Sequence, residues 1–286
     1  MCRSVRVLLA IAIGLAGAAC KEGETGPVST EGVTHEEARE YLLEHPELVL
    51  DDPEIVNSIE RARSKRAQER AASHRESILE ERSDLLNSPL TPSSGEPGAA
   101  VTIVEFYDYR CSPCIASHPE LEQVRATEKD VRIVYGQLPI FGSHSVMAAR
   151  AAIAAHLQGR FNAFHSALMT ASASPGMDSI YATAAEVGLD VEKLRADMRD
   201  PEVLQYLEEM RLLAEALDVT GTPAFIVGGA ILRGGATADE LGAEIGRQRA
   251  QSRGEARSRV SRVDRRRGPE EAPLPDPIHR IRLSSL

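Results

Sequence analysis

The chain has no tryptophan, and aromatic residues make up only 4% of it. Alanine, leucine, valine and isoleucine must therefore fill any core, and 286 residues are enough for one large domain or two modest ones. A surplus of basic residues is also lacking, since the formal net charge is -10. Because affinity for phosphate backbones comes mainly from excess Lys and Arg, this balance argues against a general nucleic-acid binder.

Long apolar runs are almost absent. The exception is residues 7–19, which follow the basic residues Arg3 and Arg6. This run is too short to span a bilayer as a helix, and it fits the hydrophobic core of a secretory signal. Residues 1–20 are therefore predicted to be a signal peptide that directs the chain to the cell envelope or periplasm.

Cysteine is scarce as well. The small residues 17–19 directly before Cys20 resemble a bacterial lipoprotein processing site, in which cleavage leaves Cys20 as a lipidated N-terminus that anchors the chain to a membrane. The first of these residues is glycine where leucine is usual, so ordinary cleavage and a chance cysteine remain the alternative. Cys2 leaves with the signal in both cases. If Cys20 is acylated, the remaining thiols are Cys111 and Cys114, which excludes a structural disulfide framework.

The segment before the main domain is predicted to be a tether followed by helices. Residues 21–33 have the composition of a flexible tether, and residues 34–87 form a helical arm that begins with a capping box between Thr34 and Glu37. Residues 60–77 favour a helix but are nearly devoid of large apolar side chains, so burial in a core is not expected. Two interpretations of the arm remain open, a solvated stalk and an arm through which the protein forms a homo-oligomer.

Turn-forming residues at 88–98 predict a linker and a domain boundary. Residues 101–107 are β-branched and aromatic, as is typical of a central strand buried on both faces. A helix from Cys114 to residue 128 and a strand at 131–135 would complete a parallel βαβ unit.

Helical segments then fill residues 143–218, with expected N-caps at Asp178, Asp190 and Asp200. A strand at 224–227 and a hairpin turn follow, and a last helix ends the domain, which spans residues 99–250. The Arg-rich and Pro-rich residues 251–286 are predicted to be disordered.

Cys111 and Cys114 lie where the predicted strand meets the next helix. Residues i and i+3 share one side of a helical turn, so the two sulfurs can reach bonding distance. The first cysteine lies at the positive end of the helix dipole, where unpaired N–H groups stabilise its thiolate. Cys111 is therefore the predicted nucleophile, and Cys114 is predicted to resolve the mixed disulfide. Ser112 and Pro113 lie beside the sulfurs and should influence the redox potential.

A single Cys-x-x-Cys pair is also half of a typical zinc site. The sequence has no second pair, but His118 could complete a Cys, Cys, His set for copper or zinc, and a metal-binding envelope protein is the alternative function. The dipeptide His118-Pro119 fits a surface kink in the helix better than a metal ligand. The remaining histidines of the helical segments are expected to be packing or surface residues: His144, His156 and His165. The leading hypothesis includes no metal and no cofactor.

The motif VEFYDYRCSPC, followed downstream by TGTPAFIVGG, resembles the DsbA-like branch of the thioredoxin superfamily. The resemblance covers about residues 101–249. It implies an α/β fold, a thioredoxin fold with an inserted helical subdomain. The arm sequence EYLLEHPELVL is similar to that of bacterial envelope members related to ScsC and Com1.

The resemblance also implies roles for individual residues. The Thr222-Pro223 bond should be cis and face the cysteines, with Thr222 presenting backbone groups to a substrate strand and Pro223 shielding the sulfurs. Glu105 should be buried beneath the active site and take the proton of Cys114, although strand alternation also allows it to face solvent. Asp108 and Tyr109 should line the approach to the cysteines.

The implied activity is thiol-disulfide exchange with exported proteins that carry thiols or disulfides. A membrane redox partner would reset the CSPC pair after each reaction. The dipeptide between the cysteines differs from those of the best-known oxidases and isomerases, so oxidation, isomerisation and reduction all remain open.

Overall fold

The structure, a computed structural model, describes residues 34–171 and 176–266. The predicted signal peptide with Cys20, the predicted tether at residues 21–33 and the end of the tail at residues 267–286 lie outside the described part.

The chain divides into two compact units, and the boundary in the sequence falls between Arg66 and Ala67. The predicted boundary at the 88–98 linker is therefore wrong. The reason is that the end of the predicted arm supplies core residues to the second unit, since Ile78, Leu85 and Leu86 are all buried there.

The first unit is helical in its described part. Helix α1 is His35–Glu44, α2 is Glu47–Leu50, and α3 begins at Pro53. The predicted capping box is present, since the Thr34 N–H donates to the Glu37 carboxylate over 2.8 Å and the Glu37 N–H donates to Thr34 Oγ1 over 3.3 Å. Neither α1 nor α2 contains a buried residue.

The end of α3 (Pro53–Glu81) and α4 (Ser83–Leu86) open the second unit. Arg75 is buried on α3, and its Nε donates to the Gly229 carbonyl over 2.7 Å. The expectation that residues 60–77 stay out of a core is therefore wrong at this arginine. Its long aliphatic stem can be buried because the guanidinium group keeps a hydrogen-bonding partner.

The second unit is built on a five-stranded sheet in the order β1-β3-β2-β4-β5. Its strands are β1 (Ser93–Ser94), β2 (Val101–Tyr107), β3 (Val131–Gln137), β4 (Ala224–Val227) and β5 (Ala230–Arg233). Strands β2 and β3 are parallel, as predicted, and the other neighbours are antiparallel. The predicted linker is thus partly strand, because β1 pairs with β3.

Side chains of β2 alternate between two cores, because successive residues of a strand point to opposite faces of the sheet. Ile103 and Tyr107 belong to the core that also contains both cysteines, whereas Val104 and Phe106 belong to the core on the other face. By the same alternation, Glu105 points to the face that carries the cysteines.

The helices of the second unit follow the predicted segments closely. They are α5 (Ser112–Thr127), α6 (Ser143–Leu157), α7 (Phe161–Thr170), α8 (Met177–Glu186), α9 (Val191–Asp197), α10 (Pro201–Ala216) and α11 (Ala238–Arg266). Asp190 and Asp200 are N-caps, as predicted. Asp178 instead lies in the first turn of α8, which Gly176 caps.

Helix α11 extends well past the predicted domain end. It continues to Arg266, so residues 251–266 of the predicted disordered tail are helical. Arginine, which favours a helix, is the most frequent residue in this part of α11, and the proline residues on which the prediction of disorder relied lie beyond residue 266.

None of the helices in residues 34–171 and 176–266 combines the length and the apolar character needed to cross a bilayer.

Candidate active site

Cys111 is the N-cap of α5, directly after the loop that leaves β2. Its Sγ accepts a hydrogen bond from the Cys114 backbone N–H at 3.4 Å, so the sulfur occupies the position where a helix N-terminus stabilises negative charge. Pro113 stands in the first turn, where its missing N–H breaks no helical hydrogen bond. Ser112 and Pro113 are both exposed, and they form the outer surface of the motif.

Cys114 lies one turn further along α5 and is fully buried. Burial raises the pKa of the Cys114 thiol far above its ordinary value, and the contact with Cys111 acts in the same direction. The two sulfurs are therefore unequal. Cys111 is held at a helix terminus, and Cys114 favours its protonated form.

The loop before β4 closes the site from the other side. The Thr222-Pro223 peptide bond is cis, and the Cys111 thiol donates to the Thr222 carbonyl over 3.3 Å. The structure thus brings together two segments that are 111 residues apart in the sequence, as the resemblance implied.

Glu105 is buried in the centre of the sheet, with Tyr135 and Phe225 as its cross-strand neighbours. The solvent-facing interpretation of Glu105 is therefore wrong. Burial raises the pKa of its carboxyl to about 8, and the nearby charge of Glu122 contributes to the increase. One carboxyl oxygen, Oε2, has no hydrogen-bonding partner among the described residues.

Asp108 fixes the loop between β2 and α5, although the sequence suggested only that it lines the approach. Its Oδ1 accepts a hydrogen bond from the Arg110 N–H at 2.7 Å, and its Oδ2 accepts from the N–H groups of Ile140 and Phe141 at 2.8 and 3.2 Å. The Cys111 N–H also donates to the Asp108 carbonyl over 3.1 Å. Asp108 therefore ties the loop that carries Cys111 to the loop that follows β3.

A buried polar cluster beneath the motif was not predicted. Tyr109 is buried rather than lining the approach, and its hydroxyl lies 2.9 Å from His165 Nδ1 and 3.1 Å from the Tyr107 hydroxyl. His165 was expected to be an ordinary packing or surface residue. A signal was available, because His165 lies on the apolar face of α7 with Phe161 and Leu168, where histidine is uncommon.

His118 does not join the cysteines. It is buried, so the predicted surface kink is wrong, and its Nε2 lies 3.2 Å from Ser166 Oγ. Its ring faces His165, with 5.0 Å between the ring centroids. Within the described ranges, no three side chains of His, Cys, Asp or Glu are grouped so that they could hold a metal ion. The copper or zinc site predicted at Cys111, Cys114 and His118 is therefore not formed.

Several solved structures resemble the chain. A thioredoxin-like oxidoreductase from Silicibacter pomeroyi is 40% identical, with 59% of this chain and 98% of that chain covered and a TM-score of 0.57. A periplasmic thioredoxin-like protein from Salmonella enterica serovar Typhimurium is 29% identical, with 58% and 95% covered and a TM-score of 0.53. The catalytic domain of Proteus mirabilis ScsC is 26% identical, with 61% and 98% covered and a TM-score of 0.55.

The curated relatives are larger proteins. The Na(+)/H(+) antiporter NhaA of Herminiimonas arsenicoxydans is 34% identical over 155 residues, which make up 52% of this chain and 25% of the antiporter. The chain therefore spans about a quarter of the length of the curated relatives that it matches.

A model of the DSBA-like thioredoxin domain matches residues 102–246, which include both cysteines, Glu105 and the cis-proline. The predicted fold is confirmed, since the sheet carries a helical subdomain inserted between β3 and β4. The chain belongs to the DsbA-like family of the thioredoxin superfamily, whose members are disulfide oxidoreductases.

Proposed function

We propose that this protein exchanges disulfides with exported proteins in the bacterial cell envelope, through Cys111 and Cys114. The observation that carries the proposal is the position of Cys111 Sγ. It caps α5, accepts the Cys114 N–H and faces the carbonyl of Thr222, which precedes a cis-proline. A nucleophile at a helix terminus beside an exposed dipeptide is suited to attack the disulfide of a protein substrate.

In the reducing direction, the Cys111 thiolate attacks a substrate disulfide. A mixed disulfide forms, and the other substrate sulfur leaves as a thiolate. Cys114 then loses its proton and attacks the Cys111 sulfur, which forms the Cys111–Cys114 disulfide and releases the second substrate thiolate. Two electrons have moved from the protein to the substrate. In the oxidising direction, the same bonds form and break in reverse order.

Glu105 is the group that we propose takes the proton from Cys114. The Cys114 thiol needs a base because burial raises its pKa, and the carboxyl of Glu105 is buried on the same face of the sheet with a pKa of about 8. A base whose pKa lies near the working pH is efficient in proton transfer. The resolving step should therefore accelerate as the pH rises through about 8, and Glu105→Gln should remove that dependence.

The substrate would lie against the exposed side of the motif. Thr222 is half-buried and Pro223 is buried beside Cys111, while Ser112 and Pro113 are exposed. We propose that backbone groups of Thr222 pair with an extended substrate segment and that Pro223 shields the sulfurs. Ser112 and Pro113 would contact the substrate and set the redox potential.

We further propose that lipidated Cys20 anchors the protein to a membrane and that a membrane redox partner resets the CSPC pair. The basic and apolar N-terminal sequence supports export, and related proteins include a periplasmic one.

The arm is proposed to associate with copies of itself. No residue of α1 or α2 is buried. Five large apolar side chains are exposed on the helices of the arm: Leu42, Leu43, Leu48, Leu50 and Ile55. Such side chains gain free energy if a second copy covers them.

Trapping variants test the exchange reaction. Cys114→Ser should accumulate mixed disulfides with exported proteins that carry a disulfide, because the Cys111 thiolate attacks the substrate disulfide and nothing resolves the bond that forms. Cys111→Ser and the double variant should trap nothing. Insulin reduction and refolding of a scrambled substrate should fall to the buffer rate in Cys111→Ser. Wild-type protein without either activity, or equal trapping by Cys111→Ser, would refute the proposal.

A further inference from the structure

The inserted helical subdomain places one histidine directly beneath the active-site loop. His165 on α7 is 1% exposed and is surrounded by rings from the sheet, from the loop after β2, from α5 and from α7 itself. Its ring centroid lies between 4.9 and 5.5 Å from those of five other rings: Tyr107, Tyr109, Tyr135, Phe161 and His118.

A chain of hydrogen bonds connects this histidine to the sheet. Gln137 Nε2 donates to the Tyr107 hydroxyl, which lies 3.1 Å from the Tyr109 hydroxyl. The Tyr109 hydroxyl in turn lies 2.9 Å from His165 Nδ1. Each hydroxyl proton has an acceptor only if Tyr107 donates to Tyr109 and Tyr109 donates to His165. That direction makes Nδ1 the acceptor, so the neutral ring carries its proton on Nε2.

The surroundings of His165 favour this neutral form. Burial lowers the pKa of His165 well below its ordinary value, and His118 and Arg125 on α5 lower it further. The groups that face it from the sheet and from the loop after β2 are the hydroxyls of Tyr107, Tyr135 and Tyr109, whose pKa values burial raises. None of these hydroxyls supplies a charge that would favour protonation of the imidazole.

The two nitrogens of the neutral His165 ring differ in their hydrogen bonding. Its Nε2 has no hydrogen-bonding partner within the described part of the chain, and an unpartnered buried N–H is unfavourable. A phenylalanine would fill the same space between aromatic rings without that cost. The polar group that His165 does use is Nδ1, which binds Tyr109, two residues before Cys111.

We propose that His165 is a positioning residue for Cys111. Through Tyr109 it holds the loop between β2 and α5 from below, while Asp108 holds the same loop through the segment that follows β3. The two attachments keep Cys111 Sγ at the N-terminus of α5, where its thiolate is stabilised. This inference rests on the proposed exchange function, because it assigns the inserted subdomain a part in the reactivity of Cys111.

Three variants separate positioning from packing. Tyr109→Phe removes the hydroxyl of the connection and keeps the ring. His165→Leu removes the acceptor, and His165→Asn retains an acceptor near the position of Nδ1. Tyr206→Phe is the matched control, because Tyr206 is also buried but lies in the core on the opposite face of the sheet.

The first readout is the rate at which iodoacetamide alkylates Cys111 in the reduced full chain at pH 7, located by mass spectrometry of its peptide. The second is the equilibrium constant of the CSPC pair with glutathione. Tyr109→Phe and His165→Leu should each slow alkylation by roughly three- to tenfold, the effect expected when one buried hydrogen bond is lost. Both should also move the equilibrium toward the protein disulfide, because a less stable thiolate disfavours the reduced form. His165→Asn should return both values to within about twofold of the wild type.

Urea unfolding of each variant measures its stability, so that a loss of stability can be distinguished from a change in the reactivity of Cys111. If Tyr109→Phe and His165→Leu lower stability but leave the alkylation rate and the equilibrium constant as in wild type or Tyr206→Phe, His165 is a packing residue and the inference is wrong. Both readouts are independent of a protein substrate. A wild-type protein that fails to exchange disulfides with substrates therefore refutes the proposed function and leaves this test valid.

Discussion

Two regions of the chain are rich in secondary structure but differ in burial and in composition. One is the part of the arm that belongs to the first unit, residues 34–66, and the other is the junction that carries the cysteines, residues 101–119. Helices α1 and α2 bury no residue, whereas six of the seven residues of β2 are buried. The arm sequence combines many charged residues with short apolar groups such as Leu42-Leu43 and residues 48–50, and the junction begins with a run of mostly β-branched and aromatic residues. The difference shows that helix propensity and the capping box of α1 favour the arm helices without buried residues in α1 and α2, while the junction depends on burial from both faces of the sheet.

Between these extremes lies the second half of α3, which the sequence assigned to the arm. It has the composition of the arm but contributes Arg75 and Ile78 to the second unit. The predictions below test where the change from arm to core occurs.

The largest expected effect is a difference in stability between two N-terminally truncated chains. A chain that starts at Ala67 should fold and exchange disulfides, while a chain that starts at Ser88 loses Ile78, Leu85 and Leu86 from its core. Each such loss costs about 2 to 5 kcal/mol, which together approaches the whole stability of a typical domain. Circular dichroism during heating measures the effect. Light scattering should find both chains monomeric and the intact chain associated.

Two outcomes would contradict this division. A stable chain from Ser88 would mean that residues 67–87 are dispensable to the second unit. Continued association of the chain that starts at Ala67, or a monomeric intact chain at high concentration, would mean that the arm does not mediate self-association.

Two substitutions by alanine compare the energetic effect of side-chain burial in the junction and in the arm. Phe106 is fully buried in β2, so Phe106→Ala should cost about 3 to 5 kcal/mol in the free energy of unfolding. Leu43 in α1 is 65% exposed, and Leu43→Ala should change it by less than about 0.5 kcal/mol in dilute protein. Urea unfolding measures both. Similar changes in the free energy of unfolding for the two variants would contradict the difference in burial between Phe106 and Leu43.

Glu105 should make the junction sensitive to pH. Burial raises the pKa of its carboxyl from 4.5 to about 8, so the fold favours the protonated form. Wild-type protein should lose stability as the pH rises from about 4.5, where the unfolded chain ionises, to about 8, and no further loss is expected above that.

Glu105→Gln should therefore be more stable than wild type at pH 8, on the order of 4 kcal/mol, and nearly equal to it at pH 4. Glu60 is exposed on α3, and Glu60→Gln is the matched control for the change from a carboxyl to an amide. A constant difference between Glu105→Gln and wild type from pH 4 to 9 would mean that Glu105 does not titrate as the structure indicates.

Gly229 tests the docking of α3 with the smallest change. A Cβ atom at this position would lie 2.2 Å from the Ala72 carbonyl oxygen, so Gly229→Ala should cost roughly 1 to 3 kcal/mol. Gly242 in α11 has no atom within 4 Å of its Cβ position, and Gly242→Ala should be neutral or stabilising by up to about 1 kcal/mol. Thermal unfolding compares them. Equal stability of the two variants would argue against close packing of α3 on the turn between β4 and β5.

Much of the second unit was predictable because its local signals agree. Strands β2 and β4 have the predicted bounds, since compact apolar runs between turn residues leave few alternatives. Asp190 and Asp200 are N-caps, as predicted, because their side chains accept hydrogen bonds from N–H groups of the first helical turn. At α8 the N-cap is Gly176 and not Asp178. The motif with Cys111 also indicated the helix start, because the cysteine itself is the cap.

The remainder depended on contacts that are distant in the sequence. No local pattern distinguishes Arg75, which binds Gly229, from the other arginines of α3. His165 has the spacing of an ordinary core residue, and its contact with Tyr109 exists only once α7 packs over the sheet. Burial of His118 has the same origin, which is why a surface kink and a metal site both looked possible.

The redox equilibrium of the CSPC pair with glutathione tests the central claim most directly. A pair that exchanges disulfides should titrate as one two-electron couple with a potential between about -270 mV and about -120 mV, the range from thioredoxin to DsbA. The position within this range would also separate a reductant from an oxidant. A potential below about -300 mV, as structural disulfides have, or no reversible Cys111–Cys114 bond would contradict the account.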